Sequence, residues 1–354
     1  MIDVLKQWFG RYFSDPEAVL LVVMLLGGFL LIALMGEILA PVLASIVIAY
    51  LLQWLINLFV SWRVPRLPSV IIVYISFIGL FFYSMLVLWP IIWTQLVKLV
   101  DELPNMIMLT KQYMYLLPEK FPEFVSKDTI DSAVASTSIE IKRSASRIVT
   151  ASIANIPSII ALIVYLILVP IMVFFFLKDH NQIIGYVTNF LPDKRRVLHT
   201  VWIELDEQIG NYVRGKVAEV LIVGIVSYAT FAFLGLQYAI LLAVIVGFSV
   251  LVPYVGAAVV TVPVMLVAFF QWGLESQFVY VVIAYGVIQA LDGNVLVPLL
   301  FSEAVNVHPV AIIIAVLVFG GFWGFWGIFF AIPLATLVKA LIVAWPKRER
   351  VAAC

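Results

Sequence analysis

Cysteine is nearly absent from this chain: the only one, Cys354, is the last of 354 residues. Neither a disulfide framework nor a thiolate metal cluster can be built from it. Histidine is scarce too, and His180, His199 and His308 lack the spacing that would set two of them on one metal. Lysine and arginine are missing altogether between Glu219 and Lys339, where the only formal charges are Glu275, Asp292 and Glu303. Basic tracts interleaved with aromatics are missing as well, so nothing favours a nucleic-acid partner. The sequence holds no His-Glu-x-x-His, no Walker A loop and no glycine-rich dinucleotide fingerprint. It therefore supports neither a metal hydrolase nor an ATP-driven pump, and no enzyme or cofactor is expected.

What is there is apolar. Hydrophobic residues make up 64% and charged residues 12% of the chain, and the mean hydropathy is +1.13. This composition defines a polytopic, all-α integral membrane protein in contact with the lipid bilayer. The apolar run from Ala18 is too long for a cleavable leader and no small-x-small site follows it, so the first span is expected to stay as an anchor.

Taken in order, Leu5, Trp8, Phe9, Tyr12 and Phe13 recur at helical spacing and predict a helix lying in the interface. Ser14-Asp15-Pro16-Glu17 reads as a capping box, so a new helix starts there. Ala18–Gly36 and Leu39–Val60 are read as two spans joined by a tight turn at Gly36-Glu37 and Pro41. Ser69–Val97 is the third, with a kink expected at Pro90. Residues 98–151 are the one long polar stretch, with seven basic and seven acidic side chains. Ile130, Val134, Ile141 and Ile148 give it an apolar face, so an external amphipathic helical region is expected, suited to packing or subunit contact.

Ile153–Leu177 is the fourth span. Lys194, Arg195, Arg196, Arg214 and Lys216 then form the densest basic cluster, on a second interfacial helix with Leu198, Trp202, Leu205, Ile209 and Tyr212 along one face. By the positive-inside rule this cluster, Lys6 and Arg11, Arg63 and Arg66, and Lys339 to Arg350 are cytoplasmic. About eight spans with both termini inside satisfy every loop. The organisation is thus residues 1–97 (interfacial helix and three spans), 98–151 (external) and 152–354 (the remaining spans and the transport core).

The second half holds two apolar runs too long for one crossing. Residues 239–270 as one helix would reach about 48 Å against a hydrocarbon core of about 30 Å. Pro253, Tyr254 and Gly256 interrupt the first run, and Gly320, Gly321, Gly324, Gly327 and Pro333 interrupt the second, residues 308–345. Paired over-long runs broken by Gly or Pro point to discontinuous helices, the gates of a transporter.

Between them lies Gln289-Ala290-Leu291-Asp292-Gly293-Asn294-Val295-Leu296-Val297-Pro298. A carboxylate at the middle of a span costs roughly 2.5–3.5 kcal/mol and is a functional-site hypothesis by default. Pro298 cannot donate to the carbonyl of Asn294, and Gly293 loosens the same turn. A freed carbonyl beside Asp292, Gln289 and Asn294 would suit a cation or a hydroxylated solute; the competing reading is a polar knot that only fixes helix packing. Glu303 and Ser249 complete the expected path, and Arg214 and Lys216 mark its cytoplasmic mouth, where they meet an anionic solute or simply anchor to lipid phosphates. Gly247-Phe248-Ser249 with His308 has the makings of an intramembrane serine protease, but Val250 stands where that class has glycine. The aromatics Phe322, Trp323, Phe325 and Trp326 could stack a substrate or meet lipid or a subunit.

Six segments resemble the autoinducer-2 exporter superfamily of bacterial membrane proteins: Pro170–Asp179 (PIMVFFFLKD), Asn211–Lys216 (NYVRGK), Gly247–Gly256 (GFSVLVPYVG), Gln289–Pro298, Phe301–Pro309 (FSEAVNVHP) and Phe319–Leu341. The resemblance, strongest to one permease branch, runs over essentially the whole chain. It implies an inner-membrane protein of about eight spans that forms homo-oligomers, pentamers by family habit. It also implies export of a small polar solute such as autoinducer-2, or exchange of sodium or lithium for protons. A non-transporting envelope scaffold is the reading from another class.

Overall fold

In the computed structural model, residues 16–115, 156–189, 196–253, 255–301 and 308–344 are described, and among them every regular element is helical. Helix α1 spans Pro16–Ser61 and α2 Arg66–Tyr83; a π-helical turn at Ser84–Leu88 leads into α3, Trp89–Tyr115. Then come α4 (Ile156–Lys178), α5 (His180–Asn189) and α6 (Arg196–Phe233). Next are α7 (Ala239–Ser249), α8 (Val255–Trp272) and α9 (Ser276–Leu291), with a second π turn at Asp292–Leu296 and α10 at Val297–Phe301. The chain closes with α11 (Pro309–Trp323), α12 (Phe325–Phe329) and α13 (Ala331–Ala344). The expected interfacial helix before Phe13 and the amphipathic segment from Asp128 to Val149 lie outside the described residues.

Among the described residues, five helical stretches are long and apolar enough to cross a bilayer: 38–61, 66–103, 206–233, 255–272 and 276–301. A sixth arises if 163–178 and 180–186, bent by 82°, count as one span. The eight expected spans are not all matched by such helices, and three local differences stand out. The tight turn expected at Gly36-Glu37 is instead a kink at Met35 (φ −120°, ψ 16°) inside one 46-residue helix. The basic segment expected to lie apart in the interface runs without a break into the following span as α6, because no proline intervenes between Pro192 and Pro253. And α7 and α11 are only 11 and 15 residues long. The outward surface fits lipid: Phe233 is 90% and Leu34 76% exposed. Between such helices the hydrophobic effect adds little, so close packing and hydrogen bonds hold the bundle.

Both π turns have the same cause. A proline clashes with the carbonyl four residues before it and offers it no N–H. For Pro90 that carbonyl is on Leu86, and for Pro298 on Asn294, each the third residue of its five-residue π turn. One extra residue in the turn relieves the clash.

The chain forms two compact units, each from separate segments. The first comprises Met1–Ile75, Ile167–Glu219 and Gly293–Cys354. Within it the Ser45 hydroxyl donates to Pro41 O (2.6 Å) and Val169 O (3.4 Å), and the Tyr74 phenol donates to Pro170 O at 3.2 Å. Tyr212, Val213, Phe301, Ile312 and Ile332 form its apolar centre. The Tyr212 hydroxyl donates to Phe329 O (3.0 Å), tying α6 to α12.

The second unit comprises Ser76–Leu166 and Val220–Asp292. Here α6 and α7 pack backbone to backbone: a Cβ on Gly247 would stand 2.9 Å from Val220 O and 3.1 Å from Gly224 Cα. Gln95 Oε1 accepts the Leu241 N–H at 2.9 Å, anchoring the start of α7 to α3. Tyr238, just before α7, bonds to Glu102; burial and then that carboxylate push its phenol up to about 12, so it stays a neutral donor.

Candidate functional site

The carboxylate singled out in the sequence sits at the end of a polar line on α9. Tyr285, Ile288, Gln289 and Asp292 recur at i, i+3, i+4 and i+7, which puts them on one helical face. Tyr285 is buried, and its hydroxyl lies 3.4 Å from Thr261 Oγ1 and 3.5 Å from Ala257 O on α8. The Thr261 hydroxyl itself donates to Ala257 O at 2.7 Å. The Phe231 ring of α6 stands 6.3 Å from the Tyr285 ring and closes that side. One turn on, the Gln289 amide nitrogen is buried; it reaches the Tyr285 phenol electrostatically without a hydrogen bond of full geometry. The Asp292 N–H divides between Gln289 O and Ile288 O, the point at which α9 loosens into the π turn, and Asp292 Oδ1 is buried.

Among the described residues this face therefore brings together two hydroxyls, an amide and a carboxylate inside an otherwise apolar span. Such a row can hold a hydroxylated solute or pass a proton, and π turns recur at functional sites. Gly293, Asn294 and Pro298 are exposed on the continuation of the helix. Glu303 and Tyr254 lie outside the described residues.

The two segments read as gates each fold back on themselves. In the first, α7 ends at Ser249, which is buried and donates its hydroxyl to Val246 O at 2.7 Å. Pro253 lies in the connection, and Gly256 sits in the first turn of α8 directly against Ser249 O. At the open end of the hairpin the Gln271 side chain closes the base: its Nε2 donates to Gly235 O and its Oε1 accepts from Gln237 N, both at 2.8 Å. Residues 235 and 271 are thus at one level, and the 239–270 run folds as a helical hairpin.

In the second, α11 ends at Gly324, whose φ of 57° suits glycine, and Gly327 in α12 sits directly against Phe319 O. Gly320 packs beneath Ile328, where an added Cβ would stand 2.8 Å from Cγ1, while one on Gly321 would meet open space. Pro333 is buried in the first turn of α13. Trp323 lies 4.6 Å from the Phe29 ring and 6.0 Å from that of Phe319, so part of the aromatic run packs within the unit; Phe322 and Phe325 are exposed. His308 caps α11 through Nδ1, which accepts from Val310 N at 3.3 Å. Ser249 and His308 thus each bond to a backbone group close by in the chain.

Arg214 is half-buried and donates to Asn211 Oδ1 at 2.8 Å. Lys216, expected at an open mouth, is buried, with its Nζ 2.7 Å from a Glu219 carboxylate oxygen and 5.2 Å from the centre of the Phe301 ring. Sequence reasoning missed Tyr285, Thr261 and Glu219. The first was legible from its i, i+4, i+7 spacing to Gln289 and Asp292, and the last from its i+3 spacing to Lys216.

A multi-pass helical bundle with a row of buried polar groups along one span has the construction of a membrane transporter. Residues 19–347 match the family described as AI-2E family transporter, and the chain belongs to that family. It is 46% identical over 346 residues to PerM of Escherichia coli (strain K12), a permease by its name, covering 98% of each chain. It is 26% identical over 288 residues to YueF of Bacillus subtilis (strain 168), named for transport, covering 79% of this chain and 77% of that one. It is also similar to the AI-2 transport protein TqsA of Escherichia coli (strain K12), at 23% identity over 321 residues, 88% of this chain and 89% of that one.

Proposed function

We propose that this protein is a secondary transporter that exports a small polar solute, of the kind named for its AI-2 transport relative. A proton or sodium gradient drives it. The observation that carries the reading is the Tyr285–Gln289–Asp292 row, a titratable polar face inside an apolar span. In this reading Asp292 takes up the coupling ion or proton, while Gln289, Asn294 and the hydroxyls of Tyr285 and Thr261 contact the solute. The hairpins at Gly256 and Gly327 are re-entrant gates that enter the bilayer and leave by the side they came from. Ser249, at the end of α7, lies on the path as well. The protein resides in the bacterial inner membrane with both termini in the cytoplasm and works as a homo-oligomer.

The test is flux through the purified protein in proteoliposomes under an imposed pH or sodium gradient, with autoinducer-2 as the first solute. Gradient-dependent solute efflux supports the reading. Cation-for-proton exchange without solute would identify an antiporter, and no flux of either kind a scaffold.

A further inference from the structure

The buried Lys216–Glu219 pair has no part in that row. It lies on α6 well inside the 206–233 span, with side chains only 6% and 2% exposed. A charge pair in that place is not needed for stability, because well-packed apolar replacements of both partners are often neutral or better. One partner is also held independently of the other. Lys216 Nζ sits over the Phe301 ring. That ring is pressed onto α6 because Gly215 has no side chain, a Cβ there standing 2.7 Å from Phe301 Cε1, and it packs 5.8 Å from the Tyr212 ring. The ammonium is thus fixed by an aromatic face as well as by the carboxylate. It is also the last basic side chain before Lys339, so no other cation in the intervening 220–338 stretch could meet an anion.

We propose that Lys216 is the binding residue for an anionic group of the transported solute, and that Glu219 holds its place until the solute arrives. This rests on the transporter reading and narrows its substrate class to small monoanions such as carboxylates. The exchange balances. An anion and a proton enter, the anion takes the Lys216 ammonium, and Glu219 leaves it as the neutral acid. No net charge is added to the low-dielectric interior, which ties one proton to each anion.

The titratable groups on the surrounding elements are few. Tyr212 is within electrostatic reach of Glu219. Tyr50 on α1 bonds to Asp206 O (2.7 Å) and Oδ1 (3.0 Å) and feels Arg214, all towards the start of α6. Phe301, Ile312 and Ile332 from α10, α11 and α13 are apolar, and α13 has its own charge, Lys339, two turns beyond Ile332.

The experiment measures thermal stability of the full-length protein in detergent micelles, with sodium acetate titrated between pH 6 and 7.5 at constant ionic strength. Acetamide serves as the neutral control. Acetate has the functional group of Glu219 itself. In the wild type, acetate but not acetamide should raise Tm, with half-saturation rising about tenfold per pH unit, the slope of one linked proton. Glu219→Gln should start with a lower Tm, be raised by acetate, and show no pH slope. Lys216→Met should not respond. The double variant Lys216→Met/Glu219→Gln should match wild-type Tm without acetate and also not respond, which separates lost binding from lost folding. An absent acetate effect in the wild type, an effect surviving in Lys216→Met, or an unchanged slope in Glu219→Gln would overturn the proposal. These are binding readouts, so acetate binding without flux sinks the transporter reading and leaves the anion site standing. Flux without acetate binding does the reverse.

Discussion

Gly256 lies against the carbonyl oxygen of Ser249 with no room for a side chain between them. Gly327 meets Phe319 O in the same way. In both cases the obstacle is backbone, which cannot swing aside as a side-chain tip would. Gly256→Ala and Gly327→Ala should therefore each destabilise by about 1–3 kcal/mol, the usual range for overpacking. Gly321→Ala and Gly293→Ala meet open space and should be silent or slightly stabilising. Thermal unfolding of the solubilised variants checks this. Equal Tm values across all four would mean that the hairpin turns are not held by these contacts.

The Gln271 bridge predicts sidedness. If its hydrogen bonds to Gly235 and Gln237 hold in the membrane, the two ends of the α7–α8 hairpin face the same compartment. With Cys354 replaced, Gln237→Cys and Leu274→Cys should react with an impermeant maleimide from the same side. A full crossing would place them on opposite sides. Gln271→Leu leaves two backbone groups without their partner and should lower stability by about 1–2 kcal/mol.

Asp292→Asn keeps the shape of the side chain and removes its charge. The variant should fold and assemble, and its flux should lose dependence on pH or sodium while Asp292→Glu keeps part of it. The expected drop in gradient-driven rate is tenfold or more, of the order of one lost charged interaction, about 1.4 kcal/mol or greater. An Asn variant with wild-type rate and an unchanged pH profile would make the residue a packing element.

Tyr212→Phe tests the tie between α6 and α12. The phenol is buried and its partner, Phe329 O, would lose a hydrogen bond. A loss of about 1–3 kcal/mol is expected. Tyr212→Ala should cost about 3–5 kcal/mol, because it also empties the space between Phe301 and Phe329. Similar Tm values for the two would show that the hydrogen bond outweighs the packing.

The membrane class, the helical architecture and the family were all legible in the residues, because lipid imposes long apolar helices and the segments around Gly247 and Gln289 are specific. What hydropathy could not carry was direction. A run of 32 apolar residues reads alike whether it crosses or returns, and the hydrogen bonds of Gln271 across 34 and 36 residues leave no trace in hydropathy. Charge counting had a similar blind spot. It assigns Lys216 to a cytoplasmic mouth because basic residues gather on that side, but cannot show that the side chain turns inward onto Glu219 and Phe301. Asp292 stood out because charge is rare in its span; Tyr285 and Thr261 did not, since hydroxyl-bearing residues in apolar helices are common.

The π turn at Asp292–Leu296 also sets the phase of its helix. One residue more than an α-turn requires shifts everything downstream by about 100° around the axis. Phe301, five residues beyond the turn, meets Tyr212 and Lys216 with that extra residue in place. A single-residue deletion there, such as loss of Gly293, would take away the extra residue that relieves the clash of Pro298 with the Asn294 carbonyl. The stretch should accordingly accept exchange of one residue for another far more readily than any change in its length.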